Sequence, residues 1–221
     1  MNKFYLQYIL PVTLTLPHIR LNVHSCSIMS QADITAFVES ASWRSTLTPE
    51  GVTTAITRGI PVSGQNMHGF TALHGATIYK RRELVVALLA AGADANVKNL
   101  DGETSVWVGA YDSTADILQL LINGGGSVNE VTNFGDTPLI ALVTHNVGDK
   151  AARLQMLFAC PELDLDATYH GITAEEWAVD ENYLELVVMI VEERARRERW
   201  STLRASWVAA VIALTKATIF A

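Results

Sequence analysis

A period of 33 residues constrains this chain more than any other feature. The pattern Gly-x-Thr occurs at Gly69-Phe70-Thr71, Gly102-Glu103-Thr104 and Gly135-Asp136-Thr137, 33 residues apart each time, and again after 36 at Gly171-Ile172-Thr173. A second pattern keeps the same phase: Leu88 to Asn96 aligns with Leu121 to Asn129, and Gly59 precedes Gly92 by the same 33 residues. Self-similarity at this period means supersecondary units stacked in a row, not one domain closed round a single centre.

Each unit reads as a helical hairpin. Gly69, Gly102, Gly135 and Gly171 stand where a tight turn enters a helix, a place where a residue without Cβ is least costly. The Thr two positions later can offer its hydroxyl to the orphan amides of that helix start, and Pro138 suits a first turn. Leu84, Val85, Leu88 and Leu89 form one apolar stripe, which Ile117, Leu118, Leu121 and Ile122 repeat. Gly92 and Gly125 then end those second helices. One hairpin cannot bury its stripe alone, so each needs a neighbour on either side. Gln31 to Ser42 is expected to supply an opening helix, and Glu192 to Arg199 to carry charge onto a closing one.

The successive helix starts are Thr71-Ala72-Leu73-His74, Thr104-Ser105-Val106-Trp107, Thr137-Pro138-Leu139-Ile140 and Thr173-Ala174-Glu175-Glu176. With the glycine exits, they resemble the ankyrin repeat, a turn followed by two antiparallel helices. The resemblance covers about residues 48 to 195, with a partial capping unit from about 30. It implies an all-α fold, an ankyrin-repeat solenoid of stacked helix-turn-helix units with β-turn or hairpin tips. The expected organisation is an N-terminal extension over 1–29, a capping unit over 30–65, and repeats over 66–98, 99–131, 132–167 and 168–199. Residues 200–221 follow as an apolar helix or tail. Three departures stand out: Trp107 replaces the usual His, Glu175 occupies a leucine position, and an insertion lies near Asn146 to Lys150. The fourth unit is therefore expected to be atypical and frayed.

The two ends differ from the middle. Residues 1–29 hold Lys3 and Arg20 and no acid; their broken apolar run from Phe4 to Leu16 partly resembles a signal peptide, without a convincing cleavage site. Pro11 and Pro17 argue against a spanning helix there, and a start at Met29 would make the segment spurious. At the other end, Trp207 to Ala221 is shorter than the ~20 residues a bilayer crossing needs. A cap folded back on the domain is favoured over an interfacial helix collared by Arg194, Arg196, Arg197, Arg199 and Arg204. Membrane contact through 207–221 is the less favoured outcome.

Charge and chemistry narrow the function. With 49% apolar and 18% charged residues the chain is not intrinsically disordered. Residues 30–191 hold 20 Asp and Glu against 8 Lys and Arg, which argues against a nucleic-acid partner. Cys26 and Cys160 make no disulfide framework, so a reducing, cytoplasmic location is expected. No HExxH, GxSxG or GxxxxGK[ST] motif occurs, and Gly124-Gly125-Gly126-Ser127 falls at a helix exit with no Lys after it. His68 and His74 share a repeat without other ligands at metal spacing. Glu175-Glu176, Asp180-Glu181 and the run Lys80-Arg81-Arg82 read as solvated surface, and Cys160 as a small core residue. The expectation is no enzyme, no cofactor and no metal, in a monomer.

What remains is a surface. The resemblance places partner contacts on turn tips and on the exposed ends of first helices. Carried onto this sequence, the expected partner-binding set is Met67, His68, Phe70, Tyr79, Leu100, Asp101, Tyr111, Asp112, Phe134 and Tyr169. Glu103, Asn133, Asp136, His170 and Ile172 occupy the other tip positions, and Ile78, Thr144, His145, Asp180 and Glu181 the other helix positions. Aromatic and apolar groups that a solenoid core does not need, interleaved with acids, mark a contact face. The expected function is a protein-protein interaction module that binds a basic or mixed partner protein through its concave face. The alternatives are a membrane-associated adaptor and an accessory subunit of an enzyme.

Overall fold

The structure, a computed structural model, describes residues 30–42, 46–145 and 149–219. The segment 1–29 weighed as a targeting or spurious extension, with Cys26, lies outside the described residues. The elements run α1 (Gln31–Ala41), α2 (Pro49–Thr57), α3 (Ala72–Ile78), α4 (Arg82–Ala90), α5 (Ser105–Asp112), α6 (Ala115–Asn123), α7 (Pro138–Thr144), α8 (Lys150–Phe158), β1 (Thr168–Tyr169), β2 (Ile172–Thr173), α9 (Ala174–Asp180) and α10 (Leu184–Ile219). First helices α1, α3, α5, α7 and α9 pack in that order, and second helices α2, α4, α6, α8 and α10 form a parallel row behind them. The fold is an all-α solenoid of stacked hairpins.

The repeated threonines start the first helices. The hydroxyls of Thr71, Thr104, Thr137 and Thr173 accept hydrogen bonds from the amides of His74, Trp107, Ile140 and Glu176, each cap worth about 1 kcal/mol. The apolar stripes are buried between neighbours: Leu84, Val85 and Leu88 of α4, Ile117, Leu118 and Leu121 of α6, and Leu154 and Leu157 of α8 belong to one continuous core. Burying each such side chain stabilises the stack by about 1.5–3 kcal/mol. No hairpin owns a core of its own.

Adjacent tips touch through backbone. Leu100 N donates to His68 O at 3.2 Å and Asn133 N to Asp101 O at 2.9 Å. This approach, as well as the positive φ of 78° and 82°, requires glycine at 69 and 102. A Cβ on Gly69 would lie 2.7 Å from Leu100 N, and one on Gly102 2.6 Å from Asn133 N. The fourth tip differs: β1 and β2 pair antiparallel, and His170 and Gly171 both take positive φ at the hairpin turn. At the unit exits, Asn96 accepts from Ser127 N at 2.7 Å and donates to Gly125 O at 2.9 Å. Asn129 does the same with Asp164 N and Glu162 O.

Lys80, Arg82 and Glu176 are exposed as the sequence suggested, whereas Arg81 of the same run is structural. Arg81 donates to Ser40 O and Ala41 O at 3.2 and 3.3 Å and to Leu47 O, covering the carbonyl end of α1. Arg153, fully buried, does this for α5 through Ala110 O at 2.6 Å and Tyr111 O at 2.8 Å. The flanking Lys80 and Arg82 bridge to Asp112 and Asp116 of the next unit at 2.8 and 3.0 Å. The fourth unit, atypical at its tip, still forms both of its helices. Glu175 turns away from the core to Arg194 at 3.5 Å, while Glu176 completes a capping box with Thr173.

The C-terminal end departs from expectation most. No turn occurs near residue 200, so the expected back-folded cap does not form; α10 runs uninterrupted for 36 residues. Arg197 anchors it to Leu163 O at 2.7 Å and Cys160 O at 3.1 Å, and beyond it residues 198–208 are exposed. Trp200, Leu203 and Trp207 form an apolar stripe there. Among the described residues no helix is long and apolar enough to cross a membrane.

His74 ties the first two Gly-x-Thr units together. Its Nδ1 faces the Thr71 amide at 3.2 Å, which leaves the ring proton on Nε2 to donate to Glu103 O at 3.1 Å. Burial lowers its pKa from 6.5 to about 4. The unfolded chain therefore binds this proton before the folded one does, and stability is complete above pH 6.5 and falls as pH drops towards 4, by about 3 kcal/mol. A Gln at this position keeps the capping geometry but does not titrate. In urea titrations, the stability advantage of the native chain over His74→Gln should shrink by about that amount between pH 7 and pH 4. A constant difference would show that His74 is not held neutral.

Candidate functional site

The tips and the first helices enclose a groove of about 710 Å³ on the concave side. Its lining comes from repeated register positions. The residue between Gly and Thr supplies Phe70, Glu103 and Asp136; the ends of the first helices supply Ile78, Tyr111 and Thr144, then Asp112 and His145. Phe134 and Tyr169 enter from the third and fourth tips, and Trp107, Val108, Trp177 and Glu181 complete the wall. Strand alternation in the hairpin and helical phase in α5 fix these positions, so the fold sets the place and the sequence sets the chemistry.

Trp107 organises the centre. Its Nε1 donates to Asp136 Oδ2 at 3.0 Å, crossing from the second Gly-x-Thr unit to the third as His74 crosses from the first to the second. Trp instead of His thus preserves a link between units with a longer side chain. Thr132 Oγ1 donates to the other Asp136 oxygen, and Asp136 is only 8% exposed. The Trp107 ring stacks on Tyr111 with centroids 5.2 Å apart and planes 17° apart, and Tyr111 meets His145 at 4.3 Å. Glu103 accepts from Asn99 Nδ2 at 2.6 Å. Burial raises its pKa, and the charges of Asp101 and Asp136 push it in the same direction, against the lowering effect of the Asn99 bond. Among the described residues no Lys or Arg lines the groove.

The expected partner set divides here. Phe70, Tyr111, Asp112, Phe134 and Tyr169 line the groove. Met67 and Leu100, 73% and 67% exposed, stand on the tips with His68 and Asp101, outside the groove lining. Tyr79, exposed at the end of α3, also lies outside it. Tyr111 is half-buried by its ring partners, so its truncation would disturb packing as well as the surface. Trp107, Val108 and Trp177 were missed. Their positions read as helix scaffold in one dimension, and the one available sign was a bulky Trp where His74 has its counterpart.

Other chemistry-bearing residues have structural surroundings. Cys160 is buried, which pushes its thiol up. Among the described residues no group of three or more His, Cys, Asp or Glu is placed to hold a metal ion. Trp107→Phe keeps the ring but leaves Asp136 without its indole donor, so it should cost about 1–3 kcal/mol in urea unfolding. An unchanged midpoint would remove this bond from the account of how the units are joined.

Comparison with known proteins agrees with the geometry. The family model for the ankyrin repeat matches residues 68–100. The chain is 36% identical over 93 residues to the tyrosine-protein kinase Shark of Drosophila melanogaster, covering 41% of this chain and 10% of the kinase. It is 29% identical over 150 residues to the human neurogenic locus notch homolog protein 2, covering 66% of this chain and 6% of that protein. It is 36% identical over 88 residues to the NF-kappa-B inhibitor cactus of Drosophila melanogaster, covering 39% of this chain and 17% of cactus. The chain thus spans only a small part of the length of these relatives. One ankyrin repeat is matched directly over residues 68–100, and helical hairpins of the same architecture stack on both sides of it, so the fold is that of an ankyrin-repeat solenoid.

Proposed function

We propose that this chain is a protein-protein interaction module that holds a partner protein in the groove formed by its tips and first helices. One observation carries the reading: positions that the stack does not need for its core present aromatic rings and carboxylates together, with no cation among the groove-lining residues. Aromatic groups dominate binding energy when a partner excludes water from them, and the acids select a basic or mixed surface and speed its encounter. The acidic middle supports a protein rather than a nucleic acid as partner. The ankyrin repeat is a non-catalytic interaction fold, and the reading includes no catalytic step, cofactor or metal. Cactus carries the name of an inhibitor of NF-kappa-B, and action on another protein is the mode carried over here. A monomer in the cytoplasm belongs to the same reading, the two-cysteine sequence supporting a reducing compartment. A membrane adaptor rests on the α10 stripe alone, against a groove in which shape, rings and charge agree.

Phe134 and Ile78 are 66% and 40% exposed and both line the groove, so they can be truncated with little effect on folding. The double variant Phe134→Ala with Ile78→Ala should lose the partner captured by the native chain, with an unchanged circular dichroism spectrum. Val86→Ala, on the opposite row of helices, should retain it. Full capture by the double variant would contradict the groove as the partner face.

A further inference from the structure

We infer that the centre of the groove is a subsite for a single arginine side chain, presented by an extended basic segment of the partner. The inference rests on the groove being the partner face and adds what that face recognises. Asp112, Asp116, Glu130, Glu175 and Glu193 each have a Lys or Arg within ion-pair distance. Glu103 and Asp136 form no ion pair with a Lys or Arg of the described residues, although Asp136 is nearly buried and Glu103 half-buried. Their carboxylates accept from neutral donors, the Trp107 indole, the Thr132 hydroxyl and the Asn99 amide. Gathering two partly desolvated carboxylates has a cost that a cation from outside would offset.

The wall beside these carboxylates selects the kind of cation. The half-buried Tyr111 ring is backed by the nearly buried Trp107, on which it stacks, and Phe134 stands two-thirds exposed at the rim of the same groove. A guanidinium is planar and weakly hydrated, lies flat on aromatic faces and donates several hydrogen bonds to carboxylates. An ammonium offers the charge without the plane. At about 710 Å³ the groove exceeds one side chain, so residues flanking the arginine would lie in it too. An approaching polypeptide therefore finds a charge site and an aromatic surface in one place.

The test uses the full chain and a synthetic dodecapeptide of alternating glycine and serine with three arginines, blocked at both ends. A matched peptide carries citrulline in place of arginine, which keeps shape and removes charge. The reporter is the Trp107 indole N–H resonance, assigned by its loss in Trp107→Phe, because that proton is donated to Asp136. The arginine peptide should shift this resonance saturably and bind at least about tenfold more tightly than the citrulline peptide. Glu103→Gln, which retains an oxygen for Asn99, should remove most of that preference; Val86→Ala should leave it unchanged. Equal affinity for the two peptides, no shift at millimolar arginine peptide, or a preference that survives Glu103→Gln would each overturn the subsite. Equal affinity leaves the partner face standing, whereas partner capture that persists through the Phe134 and Ile78 truncations overturns the face itself.

Discussion

A helical hairpin of about 33 residues has an apolar stripe wider than its own two helices can cover, and this surplus governs the rest of the structure. Leu84, Leu88, Ile117, Leu118 and Leu121 reach full burial only because a neighbouring unit closes over them. Stacking in register then places each tip against the next, near enough that glycine is required at 69 and 102. The groove is a by-product of that register: side chains at equal phase line up along one face whether or not they contribute to stability.

The polar links between units follow the same period and show how the sequence varies inside a fixed frame. His74 crosses to the Glu103 carbonyl and Trp107 to the Asp136 carboxylate, two chemically different bonds spanning the same interval. Arg81 and Arg153 cover the carbonyl ends of α1 and α5. Exchanging His for Trp keeps the link and also converts the centre of the groove from imidazole to a large aromatic surface beside a carboxylate. Under the proposed function, structural and recognition roles meet in one residue. The stability of the junction and the chemistry offered to a partner change together when Trp107 changes.

Much of this was legible in the sequence because its determinants are local. Helix starts follow from Thr71, Thr104, Thr137 and Thr173, helix ends from Gly92 and Gly125, and the stack from the repeated stripe. The groove was legible in part. Phe70, Tyr111 and Phe134 fall at tip and helix-end positions, whereas Trp107 and Trp177 reach it only through contacts between units, which no single unit encodes. The capping roles of Arg81 and Arg153 depend on residues about 40 positions away and were hidden for the same reason. For α10 a sign was present and underweighted: residues 184–219 contain neither glycine nor proline, so nothing in them breaks a helix.

The most direct measurement is amide hydrogen exchange of the full chain with and without its captured partner. The account predicts added protection at tips 66–70, 99–103 and 132–136 and at the adjoining first helices α3, α5 and α7, with α4, α6 and α8 unaffected by the partner. Protection gained on α4, α6 and α8, or only along α10, would contradict the concave groove as the surface this stack exists to present.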